Sequence, residues 1–515
     1  MEQIKPRIAP IPGRRAVIDI SKVYNFFDTA SEYLIYIAVI FGPWAFGTTQ
    51  KWSITAMNWI GYLLGIFFLI KFFIRHTGVY YPKRWSEIFA YSLKGKSYYA
   101  IYFDLALGIF TILILGYCFI SAINARAVYR PEYWRLDYKE AIMWLPHSYD
   151  ANQSWFYFWM YLGLAGLFWG IKDWLTTVPP GEERLAAEIA DGVNQSAILP
   201  PTRLRRLFYV LAINGAVLAA EGIIQRVMGT NKLLFLVEPR INNFAEAEFG
   251  PYAYRSNASQ YFNLLWPSVL GFWWACASST RHRRGFARIP GFYSSKTYNI
   301  LLPCVLLMAI CPIVSTSRGG AIIMVGLAVY SVIVLLLARW RVWWGAKIVV
   351  VLIVGGAILS GLLLGWEQLA PRLEMIEQGY KQREFMFGAG RQMAQDNPVF
   401  GIGPGAFNSM FQFYRRFPNE YWPAQLHNDW LETLITFGSV GMTLILLAFL
   451  TVFLKWFFSG GIYGEKNFVM LIWAALAGCF VHARFDFPFQ IHSILALFLI
   501  LCAVLSCLTR KAGEH

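Results

Sequence analysis

The stretch CPIVSTSRGGAIIMV, residues 311–325, places one arginine between two apolar runs. Residues 300–314 ahead of it and 321–337 behind it are almost wholly apolar. A helix needs about 20 such residues to cross a bilayer, and a charge at the edge of the hydrocarbon is costly enough to need a reason. Outward from this pair the pattern repeats, in stretches near 32–47, 53–73, 99–122, 154–172, 207–225, 260–279, 298–314, 320–338, 346–366, 432–454, 467–483 and 489–508. Composition agrees. The 515-residue chain is 57% hydrophobic and 17% aromatic, and its 15% charged residues fall well below the roughly 25% usual in soluble domains. The expected fold is an all-α polytopic membrane protein with about twelve transmembrane helices and one large helical loop on the outer side.

The net charge of +15 would suit nucleic acid or an anionic surface, but the positions of the charges follow the membrane instead. With the N-terminus inside, 28 of the 45 Lys and Arg residues fall on the cytoplasmic side, including the clusters RHTGVYYPKR, RLRR, RHRR and ARWR. This is the bias that orients helical membrane proteins. It predicts both termini in the cytoplasm and no nucleic-acid partner. The first 30 residues are polar and basic without a compact apolar core, so no cleavable signal peptide is expected. All seven cysteines lie inside apolar stretches without metal-ligand spacing, which points to packing and not to a disulfide framework or a metal site.

The chain divides into a cytoplasmic segment 1–31, N-terminal helices over 32–204 with an outer loop at about 123–153, a core over 205–508 and a tail 509–515. Within the core, residues 367–431 form the longest piece outside the membrane, and long loops in compact proteins are often functional. LEMIEQGYKQREFMFGAGRQMAQDNP, residues 373–398, predicts one or two amphipathic helices ending before Pro398. The turn GIGPGAF, residues 401–407, is not a phosphate loop, because it lacks both the Gly-Lys-Ser/Thr and a preceding strand.

Three outer stretches hold candidate chemistry. Arg318 stands among Ser315, Ser317, Gly319 and Gly320 at the start of an apolar helix. Hydroxyls, backbone N–H groups and a guanidinium suit an anion, and a guanidinium pairs bidentately with phosphate; a lone interfacial arginine can equally snorkel. Arg255 and Asn257 precede another outer helix end, with Arg240 and Arg226 as nearby rivals. His427 lies where the long loop re-enters the membrane, and histidine is the side chain best suited to general base work near neutral pH. Asp429, and with less weight Glu432, stand close enough in sequence to orient its ring. Asp486 reads as structural, pairing with Arg484 or capping the last helix.

Together these stretches resemble the O-antigen ligase and Wzy-type polymerase superfamily of bacterial envelope glycosyltransferases. The S-x-S-R-G at 315–319, the Pro then G-x-G-x-G-x-F within DNPVFGIGPGAF (396–407), and HNDWLETLITFGSVG (427–441) carry the likeness, which extends over roughly 205–508. The resemblance implies about a dozen helices in the bacterial inner membrane, a large periplasmic loop, a periplasmic active site, and no metal or other cofactor. It implies an undecaprenyl-diphosphate-linked glycan as donor. The acceptor would be lipid A–core for a ligase, the reading placed first, or a second lipid-linked glycan for a polymerase. At matching positions Arg318 and Arg255 would bind the diphosphate, His427 would be the base, and Ser315, Ser317, Asn257, Arg383, Asn428, Asp429 and Arg240 would support them. The chain reads Arg-Ser-Asn-Ala-Ser at 255–259 where the family often has Asn-x-Asn-His-x-Ala, so Arg240 stays a rival to Arg255. A transporter of lipid-linked sugars is the reading from another class; the one-sided outer placement of the polar groups favours surface chemistry over it.

Overall fold

The computed structural model describes residues 19–78, 80–85, 98–179, 182, 200–240, 245, 247–282, 297–338, 344–415, 424–458, 462–463 and 465–509. The first 18 residues, parts of the RHRR and ARWR clusters and the tail beyond Thr509 lie outside them. The described helices are α1 (Ile20–Trp44), α2 (Lys51–His76), α3 (Tyr98–Ile123), α4 (Ala151–Thr176), α5 (Thr202–Met228), α6 (Arg255–His282), α7 (Leu301–Val314), α8 (Arg318–Leu337), α9 (Trp344–Glu374), α10 (Ile376–Asp396), α11 (Phe407–Phe411), α12 (Asp429–Lys455), α13 (Lys466–His482) and α14 (His492–Cys507). Each apolar stretch read from the sequence falls mainly on one helix. Seven of the described helices are long and apolar enough to cross a membrane, and α13 and α14 are shorter apolar helices. The protein is therefore all-α in its main architecture and multi-pass by composition. One small departure is an antiparallel hairpin in the outer loop after α3, Ala127–Arg130 against Arg135–Tyr138.

Helix ends follow local chemistry. Ser317 caps α8 by accepting from the Gly320 N–H, and Asn428 caps α12 by accepting from Leu431. Asp150 and Glu465 do the same for α4 and α13. Each cap satisfies one of the N–H groups a helix start leaves open. As predicted, the amphipathic α10 stops at Asp396, just before Pro398.

Small residues set the closest helix contacts, as is usual where lipid gives no hydrophobic drive. A β-carbon at Gly61 of α2 would lie 2.1 Å from the Gly163 carbonyl oxygen of α4, and one at Gly166 the same distance from the Gly61 oxygen. From there α4 packs on α14 and α3 on α12, so one apolar core runs from Ile35 in α1 to Leu508.

The helix ends assigned to the inner side meet in a buried ion cluster. Lys71 of α2 lies 3.2 Å from Asp28 of α1 and 2.9 Å from Asp173 of α4, and Arg75 lies 2.9 Å from Asp173. Arg203 of α5 closes the ring on Asp28. Removing one partner of a buried ion pair leaves an uncompensated charge and typically costs about 3–5 kcal/mol. Asp173→Ala is accordingly expected to lower the unfolding temperature of the detergent-solubilised protein sharply, and an unchanged melting curve would contradict this account.

The Gly/Pro turn serves the fold of the outer loop. Gly438 breaks α12 with φ 60° and ψ −171°, a conformation open essentially to glycine alone. Into this break dock residues 398–403: Ile402 N–H donates to Ile435 O (2.8 Å), Gly403 N–H to Thr436 O (3.0 Å) and Ser439 N–H to Pro398 O (2.9 Å). Gly401, at φ 66°, has no room for a β-carbon, which would sit 2.5 Å from Ile435 O. The N-terminal outer loop and the first turn of α4 grip the same turn, with Tyr149 N–H on Ile402 O (2.9 Å) and Ser154 Oγ on Pro404 O (2.9 Å). The loop is thus held against the start of α4 and the break in α12, and the chain enters α12 from a fixed point.

Candidate active site

His427 ends that loop with φ 58°, a left-handed conformation uncommon for a residue with a β-carbon. Its Nδ1 lies 3.0 Å from Oδ1 of Asp486, in the turn between α13 and α14. The carboxylate accepts, so Nδ1 carries the proton and Nε2 keeps its lone pair. Nε2 has no hydrogen-bond partner among the described residues, and the side chain is 26% exposed against 8% for Asp486. The ring packs edge-on to Phe487, with centroids 4.8 Å apart. Tyr254, stacked on Phe487, reaches Oδ2 of Asp486 at 3.3 Å. Burial alone would raise the Asp486 carboxyl. The hydrogen bond from His427 and the charge of Arg383, joined by His427 and His482 when those rings are protonated, hold it well below the usual carboxylate range. A depressed carboxyl contributes stability that is present above its unfolded pKa, about 4, and lost as pH falls through the lower folded value.

Two acids expected to orient the ring instead hold the backbone around it. Glu432 accepts from the Leu426 N–H at 2.7 Å. Asp429 accepts from the Phe489 N–H (2.7 Å) and from Gln490 Nε2 (3.2 Å), and its own N–H donates to Ala483 O (2.8 Å). The Asp429 bonds stitch the start of α12 to the α13–α14 turn and so bring Asp486 to His427. Asp486 has no described ion pair with Arg484 and does not cap α14; its partner stands 59 residues away in sequence.

Two arginines approach this pair. Arg383 of α10 donates to Phe485 O and lies 3.5 Å from the Tyr254 hydroxyl. Arg318 begins α8, half-buried, and its Nη1 donates to Met375 O (2.9 Å) and Arg372 O (3.3 Å) at the α9–α10 junction. Arg318 also feels Arg383, Tyr254 and Asp486 electrostatically. Two like charges held this close favour an anion between them.

The supporting residues divide. Ser317 is buried as the α8 cap, and Ser315, fully buried, donates to Pro312 O at 3.1 Å. Gly320 lets α8 lie against α6, where a β-carbon would strike Ser259 Oγ at 1.6 Å. Arg255 opens α6 with its N–H on Ala247 O (2.8 Å), and its charge acts on Tyr254. Asn257 is buried in the same turn, and Asn428 caps α12. Arg240 is exposed and enters none of the described hydrogen bonds or ion pairs around His427. Among the described residues no group of three or more His, Cys, Asp or Glu is arranged to hold a metal.

Near Arg255, Glu248 is 1% exposed and its carboxylate has no hydrogen-bond partner among the described residues. Burial pushes it up to about 7. A carboxyl raised in the folded state costs stability as pH climbs from its unfolded value, about 4.3, to the folded one. Glu248→Gln is therefore expected to raise the unfolding temperature at pH 8 and leave it nearly unchanged at pH 4.5. The same gain at both values would contradict this.

A cavity of about 330 Å³ lies between α3, α4, α12 and α14, lined also by Ala424, Gln425 and Phe489. Gln153, Gln425, Glu432 and Gln490 line its outer end, and Leu164, Val452 and Leu499 line its depth.

A multi-pass helical membrane protein with a His–Asp pair and two arginines gathered at one end of its helices is the class these features define. Residues 303–446 match the family model described as O-antigen ligase, and the chain carries a domain of the O-antigen ligase and Wzy-type family over that range. No curated protein and no solved structure shows a significant match to the chain. The matched range holds Arg318, Arg383 and His427, whereas Asp486, Tyr254 and His482 lie outside it.

Proposed function

We propose that the protein transfers a glycan from an undecaprenyl-diphosphate donor to an acceptor hydroxyl, at the periplasmic face of a bacterial inner membrane, with both termini cytoplasmic. The observation that carries this reading is the His427 ring, bonded to Asp486 through Nδ1 and open at Nε2, beside Arg318 and Arg383. Nε2 takes the acceptor O–H proton as the oxygen attacks the anomeric carbon. The bond from that carbon to the phosphate oxygen breaks, and the lipid diphosphate leaves with the electron pair. Asp486 stabilises the imidazolium that forms, and the guanidinium groups offset the charge that develops on the diphosphate. This role is one a metal ion fills elsewhere, so the transfer is proposed to proceed without one. Attack opposite the leaving group inverts the anomeric carbon. The cavity with a polar outer end and an apolar depth supports a lipid-tailed substrate.

The acceptor is assigned first to lipid A–core, with a second lipid-linked glycan, and so polymerisation, as the alternative. The test gives purified protein a polyprenyl-diphosphate-linked saccharide with each acceptor in turn and measures product and its anomeric configuration. Inverted product with lipid A–core supports the ligase reading, and chain growth on the lipid-linked saccharide supports polymerisation. No product with either would sink the proposal.

A further inference from the structure

We propose that His482 is a positioning residue for the His427 base, acting through Asp486, and that it ties the base to the turn carrying Arg318; this rests on the reading of the site given above. His482 ends α13 with its side chain 2% exposed. Its Nδ1 lies 2.6 Å from Oε1 of Gln260 in α6. An amide oxygen only accepts, so Nδ1 holds the proton and Nε2 is left as the acceptor. Nε2 lies 3.0 Å from Ser256 Oγ and 3.9 Å from Asp486 Oδ2. Ser317, the residue before Arg318, donates from Oγ to Ser256 Oγ at 3.4 Å. Hydrogen bonds therefore run in one direction from Ser317 through Ser256 and His482 to Gln260, beneath the Asp486 carboxylate.

The backbone of His482 does related work. Its carbonyl accepts from the N–H groups of Phe485 and Asp486, each at 2.9 Å, so the turn presenting Asp486 is built on this residue. The Arg318 turn lies against the ring, since a β-carbon on Gly319 would be in van der Waals contact with Nε2 at 3.4 Å. The charged and titratable groups facing Asp486 are His427 from the loop before α12, Asp429 from the start of α12, Tyr254 from before α6, Arg383 from α10 and His482 from α13, with Arg318 acting at longer range. Of the two histidines only His427 is exposed enough to meet a substrate. A neutral imidazole packed under the carboxylate leaves Oδ1 to His427 and Oδ2 to Tyr254. Movement of the Arg318 turn as an anion binds would reach the base through Ser317, Ser256 and His482.

The test compares His482→Phe with His482→Gln, whose side-chain oxygen can accept where Nε2 does. With a synthetic polyprenyl-diphosphate-linked saccharide as donor and the acceptor that wild-type protein uses, H482F is expected to lower kcat by about 10- to 100-fold, the range seen when an orienting partner is lost. The donor KM is expected to change less than about twofold, H482Q to recover most of the loss, and H482F added to Asp486→Asn to cost little more than Asp486→Asn alone. Wild-type kcat in H482F, a loss that H482Q does not recover, or full additivity with Asp486→Asn would each overturn the proposal. A second measurement needs no turnover. In protein labelled with 15N-histidine, the Nδ1–H of His427 bonded to Asp486 should give a slowly exchanging downfield proton in wild type and H482Q, absent in H482F. If wild-type protein transfers no glycan, the reading of the site fails, and the proton signal alone then decides the role of His482: its persistence in H482F overturns it.

Discussion

Alanine at His427 is expected to lower transfer by roughly 10²–10⁴-fold, the contribution of one general base, with little change in the donor KM. The geometry leaves little scope for another group to take over. Tyr254 is half-buried against Asp486, and desolvation followed by that carboxylate raises its phenol well above the ordinary range, so it does not ionise near neutral pH. Asp429 and Glu432 hold backbone N–H groups. Asp486→Asn tests the other half of the pair. An amide can donate to Nδ1, favouring the tautomer with the proton on Nε2, which cannot accept from the acceptor hydroxyl. A large fall in kcat with the fold intact is therefore expected. Near wild-type turnover in His427→Ala, measured with a diphosphate-linked saccharide, would remove histidine from the mechanism.

The second large effect is expected at the arginines. Arg318→Ala should reduce kcat/KM by about 10²–10³-fold, the scale of losing one preorganised donor to developing charge. Part of any loss could come from the α9–α10 junction, because Nη1 of Arg318 holds the Met375 and Arg372 carbonyls. Arg318→Lys separates the two roles. A lysine keeps the charge but not the planar fork, so it should restore part of the activity if charge on the diphosphate matters. Arg383→Ala should act in the same direction, and the double variant should fall short of the product of the two, since both would act on one leaving group. Unchanged kcat/KM in both single variants would sink the diphosphate assignment.

His427 and Arg318 were legible in the sequence, because each stands in a short stretch with its own chemical signature, whereas Arg383 entered only through the family resemblance. The relation between them was not. Asp429 and Glu432 looked like partners of His427 by proximity, yet a residue two or five places away on a starting helix points where the helix turns it. Asp429 turns toward the α13–α14 turn and holds the Phe489 N–H, whereas Glu432 turns back to the loop before α12 and holds the Leu426 N–H. Asp486 looked like a turn residue because nothing local marks it otherwise. The turn GIGPGAF reads as a bend from sequence; Gly401 answers to a kink in a helix more than 30 residues on, at Gly438, and Gly403 and Gly405 to Ser148 and Tyr157.

Length and apolarity of the runs, the capping residues and the basic bias of alternate loops determined the helices and their expected orientation from sequence alone, since these are properties of short segments in their solvent. Which acid meets which histidine, and which glycine allows an approach, depends on distances between helices far apart in the chain. CPIVSTSRGGAIIMV shows both sides of this. Its arginine and helix start are local facts, whereas the packing of Gly319 against His482 and of Gly320 against α6 exists only because α6, α8 and α13 come together.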